Sequence, residues 1–148
     1  MRLPPTVVGL CLAIAASVGV VVAGCGDDTG STGTAAGARA FSGTTSQNRP
    51  VEFTVADGEV RDFNGGVNIF CTGQGFQQLA AVPPVAMPLT DGRFDYQGLD
   101  VNQLNTIEIH GEIDGDGATG TVRMVASRFV GGMVSFCNGD GSFTAEAR

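Results

Sequence analysis

Apolar and polar residues alternate with a period of two along most of the chain after residue 40, and clusters of Gly, Asn and Asp interrupt the alternation. Successive side chains of a strand point to opposite faces, so this pattern predicts half-buried antiparallel strands. Val51, Phe53 and Val55 alternate with Glu52 and Thr54, and Asp57-Gly58 turns the chain into a strand from Glu59 to Phe63. Asn64-Gly65-Gly66 reads as a second turn, after which Val67, Ile69 and Cys71 face one way. Phe94 and Tyr96 follow a turn at Asp91-Gly92, and Ile107, Ile109 and Ile113 alternate with Glu108, His110 and Glu112. A turn from Asp114 to Gly117 returns the chain through Thr119 to Ala126. Met133 to Cys137 and Ser142 to Ala147 then flank a turn at Asn138-Gly139-Asp140-Gly141. No window keeps a helical period for three turns. Phe76 to Val82 runs into Pro83-Pro84 and is expected as an edge strand or an extended crossover, because proline cannot donate to a ladder.

These segments predict one all-β domain over residues 40–148, an antiparallel β-sandwich or meandering β-barrel of about nine short strands. Trp is absent and Phe occurs nine times, so Phe is expected to supply the aromatic volume of the core.

The N-terminal pattern is different. After Met1-Arg2, the run from Leu3 to Ala23 carries no charge and is dominated by Val, Ala, Leu and Gly, as in a secretory signal peptide. About 20 apolar residues also suffice to cross a bilayer, so an uncut signal anchor is the alternative. The run ends in Val22-Ala23-Gly24-Cys25, which resembles the bacterial lipobox at all four positions. That resemblance implies cleavage after residue 24 and lipidation of Cys25, with anchorage on the outer face of the cell membrane. Two acyl chains hold stably where one holds marginally, at about 0.8 kcal/mol per buried methylene. Residues 25–39 contain no large apolar side chain, cannot offset their ordering entropy, and read as a flexible tether with an r.m.s. span of about 20 Å.

Charge and cysteine usage agree with export. The formal charge is −7, the pI is near 4.4 and Lys is absent, so a nucleic-acid partner would be repelled. With Cys11 in the signal peptide and Cys25 lipidated, Cys71 and Cys137 remain, most simply as a disulfide in an oxidising compartment. A loop of this size is stabilised by about 4 kcal/mol in the chain-entropy account. The competing two-thiolate metal site needs further ligands, and the single His lies on another segment.

Several segments together resemble a small secreted β-domain common in actinobacterial exported proteins. They are Phe41 to Gln47, Pro50 to Gly58, Asp91-Gly-Arg-Phe94, Gly120-Thr-Val-Arg123, Cys137, and Phe143-Thr-Ala145. Members end on a Trp-Thr-Ala-like strand; here Phe143 takes the aromatic place. The resemblance covers about Ala40 to Arg148 and implies the fold and the disulfide, with no activity attached.

Candidate chemistry is sparse. Asp114-Gly115-Asp116-Gly117 resembles the start of a calcium loop, yet the positions that need Gly and Glu hold Thr119 and Val125, so a hairpin turn is expected. Glu108, His110 and Glu112 share an outward strand face and form the expected recognition surface. As metal ligands they are poorly placed, since neighbours two apart on a strand lie nearly 7 Å from each other. No Gly-x-Ser-x-Gly elbow is present, and Gly73-Gln74-Gly75 lacks the third glycine and the helix of a nucleotide loop, so no cofactor is expected. The reading that results is a monomeric, non-enzymatic, lipid-anchored binding or structural domain whose partner is an envelope protein or a small ligand. The alternative is a barrel carrying a small apolar ligand, such as a lipid, in its interior.

Overall fold

The computed structural model describes residues 37–148. The expected signal peptide over 1–24, Cys25 and most of the expected tether over 25–39 lie outside the described residues. Nine strands follow one another: β1 Arg39–Thr45, β2 Pro50–Ala56, β3 Glu59–Cys71, β4 Gly75–Ala81, β5 Met87–Pro88, β6 Arg93–Leu99, β7 Asn105–Asp114, β8 Gly117–Val130 and β9 Met133–Ala147. The alternating pattern therefore does produce an all-β fold, and all nine strands join one antiparallel sheet in the order β4-β3-β2-β1-β9-β8-β7-β6, with β5 on β3. β4 lies at the end of that order, as the proline-bounded segment predicts. β1 begins at Arg39, one residue before the expected boundary.

Tight turns follow the expected chemistry. Asp57-Gly58 and Asp91-Gly92 have positive φ at both residues, the backbone that matches the right-handed twist of a hairpin. Two other glycine clusters behave differently and correct the expectation. Asn64-Gly65-Gly66 and Asn138 to Gly141 are not turns; they run inside β3 and β9, which are 13 and 15 residues long rather than short. Glycine here serves close approach instead of reversal: a Cβ on Gly139 would lie 2.3 Å from the Asn68 carbonyl oxygen. β3 also carries a bulge, with Asp62 at φ 55° and the register against β2 shifting between Glu52 and Thr54. Bulges of this kind sharpen the bend of a strand.

The bend has a topological use. β3 pairs with β2 up to Gly65 and meets β9 directly at Phe70↔Asn138 and Cys71↔Cys137. The β1–β2 hairpin is thus wedged between β3 and β9, so the pairings β3–β2–β1–β9–β3 form a closed circuit. Two contacts seal it. The Gln47 side chain accepts from Asn68 N–H at 2.6 Å and donates to the carbonyls of Asn68 and Asp140 at 3.2 and 2.9 Å, bridging the gap between the strands. Beyond it, the disulfide Cys71–Cys137 joins directly opposed residues whose Cα atoms are 4.0 Å apart.

Inside, five phenylalanines form one cluster. Phe41 stacks on Phe53 at 4.9 Å between ring centroids, Phe53 packs on Phe63 and Phe94 at 5.8 and 5.6 Å, and Phe63 meets Phe143 edge-on at 5.8 Å. Phe94 comes from β6 and Phe53 from β2, so the sheet curls far enough for distant strands to face each other. The directly paired Gly111 and Gly120 make room for this, since a Cβ at either would collide with the ring of Phe94 or Phe143 respectively. Val51, Val60, Val67, Ile69, Ile107, Ile109, Val122 and Met124 complete a fully buried shell.

Candidate functional site

β7 holds Glu108, His110 and Glu112 on the outer face, as their alternation with Ile107, Ile109 and Ile113 requires. Both carboxylates are already engaged: Glu108 Oε2 is 3.3 Å from Arg123 Nη1 and Glu112 Oε2 is 3.6 Å from Arg93 Nε. The cross-strand row through His110 reads Asp95, His110, Thr121, Ser142. It places a carboxylate, an imidazole and two hydroxyls on adjacent strands. Nucleophile activation requires hydrogen bonds from nucleophile to base and from base to orienting group. Among the described residues none joins His110 to Asp95 or Thr121. Nor, among these residues, does any group of three His, Cys, Asp or Glu side chains assemble for a metal ion.

The Asp114–Gly117 segment is the β7–β8 turn, with Gly115 at φ 58°. Asp116 is taken by Arg39 at 2.7 Å, and the same guanidinium donates to the Gly115 carbonyl and lies over the Phe41 ring at 5.1 Å to the centroid. This turn therefore receives the chain where it enters the domain. Alongside it, outward Ser42, Thr44, Glu112, Asp114, Thr119 and Thr144 line a surface depression of about 720 Å³. Gly43, Gly117, Ala118 and Ala145 share that lining, which is mixed in character.

The outer face changes character toward the other end of the sheet. The row Gln97, Glu108, Arg123, Asp140 is charged, whereas the row two residues on reads Leu99, Thr106, Val125, Asn138, Phe70, Phe76 across six strands. Phe70 and Phe76 pack edge-on at 5.3 Å. Phe136 is diagonal to Phe70 across the β9–β3 ladder, and Phe129 sits directly opposite Val134. Cross-strand and diagonal neighbours of this kind lie within contact range of aromatic side chains. These rings face solvent: Phe70 is 51% exposed, Phe136 67%, Phe129 75% and Phe76 80%. Four of nine phenylalanines are therefore outside the core.

Charge is nearly absent from the same region. No Asp or Glu occurs from Gly65 to Thr90 or from Met124 to Gly139, and Arg128 is the only ionic side chain in those two stretches. The β8–β9 hairpin overhangs its neighbours, since the β7 ladder stops at Ala126 and the β3 ladder at Cys137. Met133 shares the inward phase of Cys137 and yet is 74% exposed, with Arg128 and Ser135 on the same face.

A buried carboxylate braces the rim. Asp100 is 2% exposed and accepts from Leu104 N–H at 2.9 Å, Asn105 N–H at 3.2 Å and Asn105 Nδ2 at 2.6 Å. Burial pushes its pKa up, but those hydrogen bonds and the positive field of Arg128 outweigh burial and hold it below the ordinary 3.8. A depressed carboxylate adds stability that is complete above the unfolded pKa and is lost as pH falls through the folded one. Asp100→Ala is therefore expected to cost about 1–3 kcal/mol at neutral pH, because the Asn105 amide loses its acceptor. The gap from the wild type should narrow below about pH 4, as read by urea unfolding across a pH series. A gap that is independent of pH would contradict the assignment.

Comparison of the chain with protein-family models, with curated proteins and with solved structures finds no match.

Proposed function

We propose that the chain is a non-enzymatic binding protein of the bacterial envelope. It is held by lipid on Cys25 at the outer face of the cell membrane and meets its partner with the aromatic end of its β-domain. The observation that carries this reading is the uncharged patch of Phe70, Phe76, Phe129, Val134 and Phe136 on the outer face. A phenylalanine side chain buries about 200 Å², so the four rings alone present roughly 500 Å² of apolar surface. That lies in the range of the largest apolar patch on a monomeric protein, about 300–600 Å², which is often functional.

The placement of the patch fits a tethered domain. Arg39 is pinned beside Asp116 at one end, whereas Phe136 lies eleven residues along β9 from Ala147, roughly 36 Å away. The aromatic end thus lies at the far end of the strands from Arg39, where the chain enters the domain. The Glu108, His110 and Glu112 strip is the weaker candidate, as Arg123 and Arg93 already neutralise its carboxylates. The carrier alternative needs an interior void, and the stacked Phe41, Phe53, Phe63, Phe94 and Phe143 rings occupy the space where one would lie.

Two measurements test the two halves of this reading. Cys25→Ala should move the protein from the detergent phase to the aqueous phase of a phase split and abolish the lipid mass on its N-terminal peptide. An aqueous, lipid-free wild type would remove the anchor. In native gels of mild-detergent envelope extracts, the protein should migrate as a complex. Phe70→Ser with Phe136→Ser should dissolve that complex, whereas Glu108→Arg with Glu112→Arg should leave it intact; the reverse pattern would move recognition to the acidic strip.

A further inference from the structure

We infer that the depression beside the β7–β8 turn is a binding cleft for a linear organic cation, a diamine or polyamine, whose ammonium groups meet Glu112, Asp114 and Glu146. The cleft stands apart from the aromatic end and requires nothing of it.

Its volume of about 720 Å³ falls within the roughly 300–1,000 Å³ of small-molecule sites. Register explains why the space is open. Glu146, Gly117 and Asp114 lie on one cross-strand row, and Thr144, Thr119 and Glu112 on the next. Gly117 therefore leaves a gap between two carboxylates. Neither backbone nor packing demands that glycine. Its φ lies outside the left-handed region, and a Cβ there would meet a single atom, the Asp114 carbonyl oxygen, at an ordinary 3.5 Å. By contrast, a Cβ at Gly43, Gly111, Gly120 or Gly139 would lie 2.3 Å or less from a neighbour. Glycine weakens a strand and marks a bulge, a bend or a place where a ligand or another backbone comes close. The β7–β8 register is unbroken through Asp114↔Gly117 and no other backbone crowds the position, which leaves the ligand.

Charge sets the kind of ligand. Asp114 and Glu146 make no ion pair among the described residues, because the nearby arginines are engaged elsewhere: Arg39 with Asp116 at 2.7 Å, Arg148 with Glu52 at 3.8 Å and Arg93 with Glu112 at 3.6 Å. The cleft is thus net negative on a chain of formal charge −7, a field that gathers cations. A bare metal ion is poorly served, since it needs several oxygens within about 2.6 Å. Among the described residues no three His, Cys, Asp or Glu side chains converge in that way. Strand spacing puts the Cα atoms of Glu146 and Asp114 about 10 Å apart and those of Asp114 and Glu112 about 7 Å apart. A chain of ammonium groups separated by methylenes suits such spacing. Each primary ammonium offers three donors to the carboxylates and to the hydroxyls of Thr119 and Thr144, which no side-chain hydrogen bond engages among the described residues. The methylenes rest on the threonine methyls and the bare backbone of Gly117, as the stem of a lysine rests on apolar surface.

The test is equilibrium dialysis of radiolabelled spermidine against the full chain in micelles of a neutral detergent at low ionic strength, where exposed charges are least screened. Saturable uptake is expected. Asp114→Asn with Glu146→Gln should weaken it about tenfold, the scale of two exposed ion pairs. Asp95→Asn with Asp140→Asn removes the same charge from the same outer face beyond the cleft and should leave uptake nearly unchanged. Gly117→Val is the second variant: a β-branched side chain favours a strand yet fills the gap, so uptake should be lost while the thermal unfolding midpoint holds or rises. Phe70→Ser with Phe136→Ser should leave uptake unchanged, which separates the cleft from the aromatic end. Equal losses from the two carboxylate pairs would reduce uptake to general charge attraction and overturn the cleft, as would full uptake by the Gly117→Val variant. Displacement of spermidine by an equal concentration of magnesium would overturn the ammonium assignment, and absence of saturable uptake would overturn the whole inference.

Discussion

Phe63→Ala is expected to lower the unfolding free energy by about 3–5 kcal/mol, the range for truncating a buried aromatic ring. Phe63 touches three of the other four core rings, with centroids 5.8 Å from Phe53, 6.3 Å from Phe94 and 5.8 Å from Phe143. It is also the ring that fills the space over Gly65, where a Cβ would lie 2.8 Å from its Cε1. No neighbour can slide into the vacancy, because Phe94 and Phe143 are seated on the backbone at Gly111 and Gly120. A domain of this size has a total stability of about 5–15 kcal/mol, so the loss consumes a large share. Phe129→Ala removes the same side chain from an exposed site and should shift stability by less than about 0.5 kcal/mol. Urea unfolding of the two variants reads the contrast directly, with the slope against denaturant unchanged. Comparable losses from both would contradict the division of the phenylalanines into core and surface.

Removing the disulfide should cost about 2–5 kcal/mol, which is the usual penalty in a small exported domain. The bond closes a loop with a sequence separation of 66, for which the chain-entropy account gives about 4 kcal/mol. Its site makes the penalty local as well as global. Cys71 and Cys137 lie beyond the β1–β2 wedge, where β3 and β9 share only two opposed pairs of residues. Without the bond, the Gln47 bridge, Ser135 Oγ to the Thr72 carbonyl at 2.6 Å and Thr72 N–H to the Phe136 carbonyl at 3.1 Å must hold the closure. Cys71→Ala with Cys137→Ala should therefore speed amide exchange first from Asn68 to Gln74 and from Ser135 to Gly139. Uniform acceleration across all strands would show that the bond acts through the unfolded chain alone. Two free thiols in the unfolded, unreduced protein would contradict the bond itself.

The strands were legible wherever one face is buried and the other is wet. Val51 to Val55, Phe94 to Tyr96 and Ile107 to Ile113 alternate because the sheet is half-buried there, and each lies in a strand of the structure. Legibility failed at glycine. Asp57-Gly58 and Gly65-Gly66 look alike as local signals, yet the first reverses the chain and the second lies inside β3 with Arg49 and Pro50 against it. What separates them is the strand on the other side, and that is a long-range fact. The aromatic end escaped for a related reason. Phe136 and Phe129 obey the same alternation as Phe143, and a period of two assigns residues to a face without saying whether that face is covered. The signal that was available is the absence of Asp and Glu over Gly65 to Thr90 and Met124 to Gly139. Read along the chain these are two unrelated stretches; the ladder Phe70↔Asn138 brings them together.

The central claim, that this chain meets its partner through the aromatic end, is tested most directly by hydroxyl-radical footprinting in the intact envelope and on dilute purified protein. Met133, Phe129 and Phe136 should be protected in the envelope and reactive after dilution, while His110 should react equally in both. Protection of His110 in the envelope, with the three apolar residues reactive throughout, would contradict the account.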